Sequence, residues 1–397
     1  MWGLGFGSWD LGLGIWDLGF PLALSVACRT KLSRRQYPGD TAISVRSRAL
    51  GGHQMIRIAR PIAAGVLFVL LLSATAAAQQ QPARSIVNIT GQLYRAQNDN
   101  HYTVFLVTSE GVIMSDPINR DFSRWLKNEI STRFRVPVRY VVYTHRDWDH
   151  ASGGVVFADT AQFVGHINML AGLAPPEGNP PMPSADAALD ANRNGVIERA
   201  EAKGNSAIAQ RFDLFDYNHD GIVNSAEVAR GSVNDVYAPT VTYSGAHEIT
   251  LGGKRVRMLP LGAAHSDDSV VLHFPDERAV FSADILQVKR LPQGLTPTVG
   301  AYIDAMKTIN AIDYDHALTG HALAGRKQDA LDLQRYLEEL AIGVAAGVGA
   351  GKSLADIQRT LTLDSFKGFE RWDMVRVGHI ASVYATLKGT TAQTGTR

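Results

Sequence analysis

The chain is 397 residues long, 45% apolar and 19% charged, with a formal net charge of +1. That balance supports a large buried core and argues against a nucleic-acid-binding protein or one that rides a membrane surface on a basic face. The single cysteine, Cys28, has no partner for an intramolecular disulfide, and any metal site downstream of it must be built from His, Asp, Glu or backbone oxygen.

Residues 1–54 repeat a short motif, Trp9-Asp10-Leu11-Gly12 and Trp16-Asp17-Leu18-Gly19, without periodicity leading into a domain. Translation is therefore expected to start at Met55. From there the chain reads as a secretory signal peptide over 55–78. Arg57 and Arg60 form a basic start, 61–73 an apolar core that includes 66–72, and Ala76-Ala77-Ala78 a small-residue cleavage site before Gln79. The apolar stretch is short for a membrane span, so no stable membrane insertion is expected after cleavage, and the location implied is periplasmic or secreted.

Residues 138–143 have the β-branched and aromatic content of a buried strand. They run into Thr144-His145-Arg146-Asp147-Trp148-Asp149-His150, which places two histidines and two aspartates on one turn. Such a cluster at a strand's C-terminal end is costly unless a cation neutralises and orders it.

Farther on, residues 190–201 and 216–227 each match the calcium-binding EF-hand loop. The first offers Asp190, Asn192, Asn194, Val196, Glu198 and Glu201, turning at Gly195. The second offers Asp216, Asn218, Asp220, Ile222, Asn224 and Glu227, turning at Gly221. Between them, Ile208, Phe212 and Phe215 have the helical spacing of a shared core, and Ile197 and Val223 can form the short bridge of a loop pair. Calcium is the cofactor expected here, as a structural element or a regulator. The stretch from His150 to His265 is far longer than a strand and two helices need, and a Pro-rich run over 175–183 leads into the extra segment, so 174–236 reads as an insert.

Strand patterns resume at 241–243, 248–251, 254–259 and 269–274. His265, Asp284 and His321 each follow a short apolar run, as polar residues do at the edge of a sheet. Beyond His321 the spacing is helical over 330–341 and 372–387. Gly351-Lys352-Ser353 lies between those helices with no preceding strand and is not a nucleotide-binding loop.

In motif order and flanking pattern the chain resembles the metallo-β-lactamase superfamily, whose hallmark is His-x-His-x-Asp-His followed by a lone His, a lone Asp or Cys, and a final His. The resemblance covers roughly residues 86–325. It implies an α+β fold, a four-layer αβ/βα sandwich, here with a helical EF-hand insert. The domain parts are then 79–173 and 237–325, with a helical extension over 326–397. It also implies that His145, Asp147 and His265 hold one transition metal, that Asp149, His150 and His321 hold a second, and that Asp284 bridges them. Zinc is the first expectation, with iron or manganese as alternatives, because Asp147 stands where the family has its second histidine and supplies a harder, anionic donor.

The reaction implied is hydrolysis of a small-molecule ester, lactone, thioester or amide of β-lactam type, with Asp149 orienting the nucleophile and accepting its proton. Gln287 occupies the place of a lysine that binds the β-lactam carboxylate in several family members, and Lys289 and Arg290 are either the nearest replacements or part of a solvated loop before Pro292. Ser266, Asp267 and Asp268 either help place His265 or form a polar turn. Two other readings stay open: a calcium-binding interaction protein on an inactive scaffold, and an iron-dependent redox enzyme. Oligomeric state cannot be read from the sequence.

Overall fold

The computed structural model describes residues 83–389, so the expected leader and signal peptide lie outside the described residues. The described residues open with an antiparallel meander: β1 (Arg84–Thr90), β2 (Leu93–Asn98), β3 (His101–Thr108) and β4 (Gly111–Ser115). Helix α1 (Arg120–Phe134), capped by the Asn119 side chain on the Phe122 amide, crosses over to β5 (Val138–Val142), which pairs parallel to β4. A single turn of helix, α2 (Trp148–Ala151), then leads to β6 (Gln162–His166) and α3 (Asn168–Leu173). The segment 174–236, expected as an insert, follows with α4 (Ser184–Ala187), β7 (Ile197–Glu198), α5 (Ala207–Phe215), β8 (Ile222–Val223) and α6 (Ser225–Arg230). Strand β9 (Val241–Tyr243) completes a seven-stranded sheet in the order β1-β2-β3-β4-β5-β6-β9.

The second sheet takes β10 (His247–Leu251), β11 (Lys254–Pro260), β12 (Val270–Phe274) and β13 (Ala279–Ser282) in antiparallel order. After α7 (Val299–Ala311), β14 (His316–Thr319) pairs parallel to β13, and β15 (Gly325–Arg326) closes the edge. Three helices end the chain: α8 (Lys327–Gly349), α9 (Leu354–Thr360) and α10 (Trp372–Leu387).

Alternation along each strand makes the layers. Val104 and Leu106 of β3, Ile113 of β4 and Val142 of β5 face Leu272, Phe274, Phe281 and Leu318 of the second sheet in one buried cluster. The intervening residues Phe105, Met114 and Val141 point the other way, onto Phe122, Leu126 and Ile130 of α1. On the far side, Val271, Val280 and Ala317 pack against Met306 of α7, Leu337 of α8 and Ile380 of α10. This is the expected αβ/βα sandwich. Among the described residues no helix is long and apolar enough to cross a membrane.

The insert has its own small core of Ile197, Ile208, Phe212, Phe215 and Val223. Its two loops have matching hydrogen bonds. In the first, Asp190 accepts from the Asn194 and Gly195 amides, and Glu201 accepts from the Ala191, Asn192 and Glu198 amides. In the second, Asp216 accepts from the Asp220 and Gly221 amides, and Glu227 from those of Tyr217 and Asn224. Gly195 and Gly221 take φ of 89° and 88°, where a Cβ would be strained. Strands β7 and β8 join the loops by pairing Ile197 with Val223.

Candidate metal centre

All seven expected ligands come together at one edge of the sandwich, beyond the C-terminal ends of β5, β11, β13 and β14. Asp284 sits at their centre. Its Oδ2 lies 3.5 Å from His145 Nε2, 3.5 Å from His150 Nε2 and 3.2 Å from His265 Nε2, and its Oδ1 lies 3.0 Å from His321 Nε2. One carboxylate thus faces two groups of imidazoles with its two oxygens.

Asp147 belongs to the first group, with its Oδ2 3.1 Å from His265 and 3.6 Å from His145. In the second group, Asp149 Oδ2 lies 3.5 Å from His321 and 3.8 Å from His150. His101 joins it, with Nε2 3.3 Å from Asp149 Oδ2. His101, at the start of β3, was not expected from the sequence. The turn before β3 and the bond from the Tyr102 amide to the Gly320 carbonyl bring this strand end to the second sheet's edge.

The local chain explains why these side chains converge. Thr144, directly after β5, is held by Asp116 at the end of β4, through its amide at 2.8 Å and its hydroxyl at 2.7 Å. The same hydroxyl lies 3.1 Å from His145 Nδ1, which fixes the ring and turns Nε2 into the cluster. His265 has a left-handed backbone, φ 64°, with its amide bonded to the Thr296 carbonyl. Such a conformation is uncommon for a residue with a Cβ and is found where a site constrains the chain. Gly320 leaves room for the His150 ring, since a Cβ there would come within 2.8 Å of Cε1 and 2.9 Å of the Ala283 Cα.

The electrostatics fit a cation-binding site. Burial pulls the His145 imidazole down, but Asp147 and Asp284 prevail and hold it well above its ordinary value. Against the same burial, neighbouring carboxylates lift His265 and His321 to about 9. Burial raises Asp147, Asp149 and Asp284, yet the histidines around them hold all three far below the usual carboxylate range. His145 Nε2 is buried with no hydrogen-bond partner among the described residues, and His150 Nε2 stands 2.9 Å from His321 Nε2. Two ring nitrogens at that distance need a proton or a cation between them. Oxygen and imidazole donors in two such groups fit two divalent transition metals.

Two pairs of readings for the surroundings are distinguished. Among the described residues the His265 ring is hydrogen-bonded to Asp147 and not to Ser266, Asp267 or Asp268, which form a polar turn. Ser266 donates to Asp268, and both aspartates accept from the Arg146 guanidinium. Arg290 is no exposed anchor for a substrate. It turns inward, donates to the His321 carbonyl and pairs with Glu370 at 3.3 Å, while Lys289 is exposed. Gln287 is buried, with its amide on the Asp284 carbonyl.

Residues 133–324 match the model of the metallo-beta-lactamase superfamily. The match spans just under half of the chain and includes His145, Asp147, Asp149, His150, His265, Asp284 and His321. Among solved structures, the stereoselective inverting sec-alkylsulfatase Pisa1 from Pseudomonas sp. has a TM-score of 0.53 at 13% identity, covering 76% of this chain. The chain spans 50% of that protein's length. A metallo-beta-lactamase from Pontibacter korlensis is similar at 16% identity and a TM-score of 0.43, over 64% of this chain and 99% of the other. One from Hirschia baltica has 11% identity and the same score, over 64% and 97%. No curated protein sequence matches the chain.

Proposed function

We propose that the chain is an exported metal-dependent hydrolase with a dinuclear centre, acting on an ester, lactone, thioester or amide of β-lactam type. The observation that carries this reading is the Asp284 carboxylate, which faces four imidazoles through two oxygens. His145, Asp147 and His265 would hold one cation and Asp149, His150 and His321 the other, with Asp284 shared. Zinc suits the mixed nitrogen and oxygen donors, and the Asp147 oxygen also suits iron or manganese. When bound, the cations supply Lewis acidity, making water nucleophilic near neutral pH and polarising the scissile carbonyl.

The protein's own groups do the rest. Asp149, kept ionised by the histidines around it, orients the attacking water and takes its proton, and His101 lies 3.3 Å from the same carboxylate. Trp148 forms a wall beside the centre. The insert binds calcium at residues 190–201 and 216–227, mainly as a structural element.

Turnover of a substrate panel by protein loaded with zinc, iron or manganese tests the proposal. Secondary alkyl sulfates join the panel because a neighbour of like fold is an alkylsulfatase. Hydrolysis should vanish on chelation and fall about a hundredfold in Asp149→Asn. Equal rates with and without metal would defeat the reading. Export is tested separately by sequencing the mature N-terminus, expected at Gln79.

A further inference from the structure

Trp148 stands between two candidate ligands, Asp147 and Asp149, and its indole is covered by an arginine from the insert. The Arg211 guanidinium carbon lies 4.5 Å from the centre of that ring. Arg211 belongs to α5, which buries Ile208, Phe212 and Phe215 in the insert's core and so presents its other face to the catalytic domain. The helix is broken at this residue, with φ −135° and ψ 33°, as happens where a side chain is re-aimed.

Among the described residues Arg211 has no salt-bridge partner, and its buried Nε has no hydrogen-bond acceptor. Asp149 is the one carboxylate whose charge bears on it. The other cations near the centre are engaged. Arg146 binds Asp267 and Asp268, Arg290 binds the His321 carbonyl and Glu370, and Arg95 binds the Ala322 carbonyl and stacks on Tyr102. Arg371 also feels the charge of Asp284, but it stands beside Arg290 and Glu370. A half-buried guanidinium without an acceptor is costly to keep, and its fork of donors matches an oxyanion.

We propose that Arg211 binds an anionic group of the substrate, a carboxylate or similar oxyanion, beside the bond cleaved at the metal centre. Substrates are then anions, and the insert is a specificity element that delivers a cation over the Trp148 wall. The inference rests on the hydrolase reading and names the substrate class for the same site.

Two small thiols test it without a known substrate. Both bind metal through sulfur, but 3-mercaptopropionate adds a carboxylate where 3-mercaptopropanamide adds a neutral amide. Their affinities are read from the thiolate-to-cobalt absorption of the cobalt-reconstituted protein. Wild type should bind the acid roughly tenfold more tightly than the amide. Arg211→Ala should abolish that preference with amide affinity and cobalt content unchanged, Arg211→Lys should keep part of it, and Arg371→Ala should keep it all. An undiminished preference in Arg211→Ala, no preference in wild type, or a loss confined to Arg371→Ala would overturn the proposal. Failure to take up cobalt, or to bind either thiol once loaded, would instead overturn the metal-centre reading on which it rests.

Discussion

Asp116 never reaches the cluster, yet it sets the cluster's geometry. Fully buried, it grips Thr144 by amide and hydroxyl, and Thr144 in turn steers His145. Asp116→Asn should lower affinity for the cation at His145 by roughly ten- to a hundredfold while leaving the fold intact, as measured by competition with a chromogenic chelator. Gly320→Ala should act from the other side, pressing on His150 and Ala283, and lower occupancy of the second group. Protons compete for the same nitrogens. His265 and His321, lifted to about 9 without a cation, carry protons at neutral pH that metal binding must release. Affinity should therefore rise with pH up to about 9, and titration calorimetry in buffers of different ionisation enthalpy should register proton release at pH 7. The seven clustered residues were legible as candidates because each sits in a motif or at a strand end. His101 and Arg211 were not, because nothing beside them in the sequence says which distant edge they reach.

Buried polar contacts between elements respond to pH. His379 of α10 lies against Tyr336 of α8, with Nδ1 2.8 Å from the hydroxyl, and burial lowers its pKa to about 4. The folded state thus disfavours the charged ring, and the unfolded chain binds the proton first. Stability from this site is full above the ordinary value near 6.5 and is lost as pH falls from there to about 4, by up to about 3 kcal/mol. His379→Gln should flatten the fall of urea midpoint across that window. In the insert, the matched loops should make the melting temperature respond to calcium. Calcium in excess should raise it by roughly 5 °C, and Glu227→Gln should blunt the gain, as scanning calorimetry would show. Strands β9, β10, β11 and β12 lie where alternation put them. The inward turn of Arg290 could not be read, since a charged residue before proline has the same local pattern on a surface loop.

The two sheets and their outer helices place parallel strand ends side by side, and this arrangement gathers residues as far apart in sequence as His101 and His321 into one pocket. Layer order was legible because apolar alternation tells which face of each strand is buried. The meeting of the insert with the metal edge was not, since it depends on how α5 is seated and bent. The account stands on two cations sharing Asp284. Plasma mass spectrometry of the mature protein and of Asp147→Ala tests that most directly, with calcium counted alongside. The account predicts about two transition metals per chain in the wild type and about one in the variant. No bound transition metal after reconstitution with zinc, iron or manganese, with calcium still present, would contradict it.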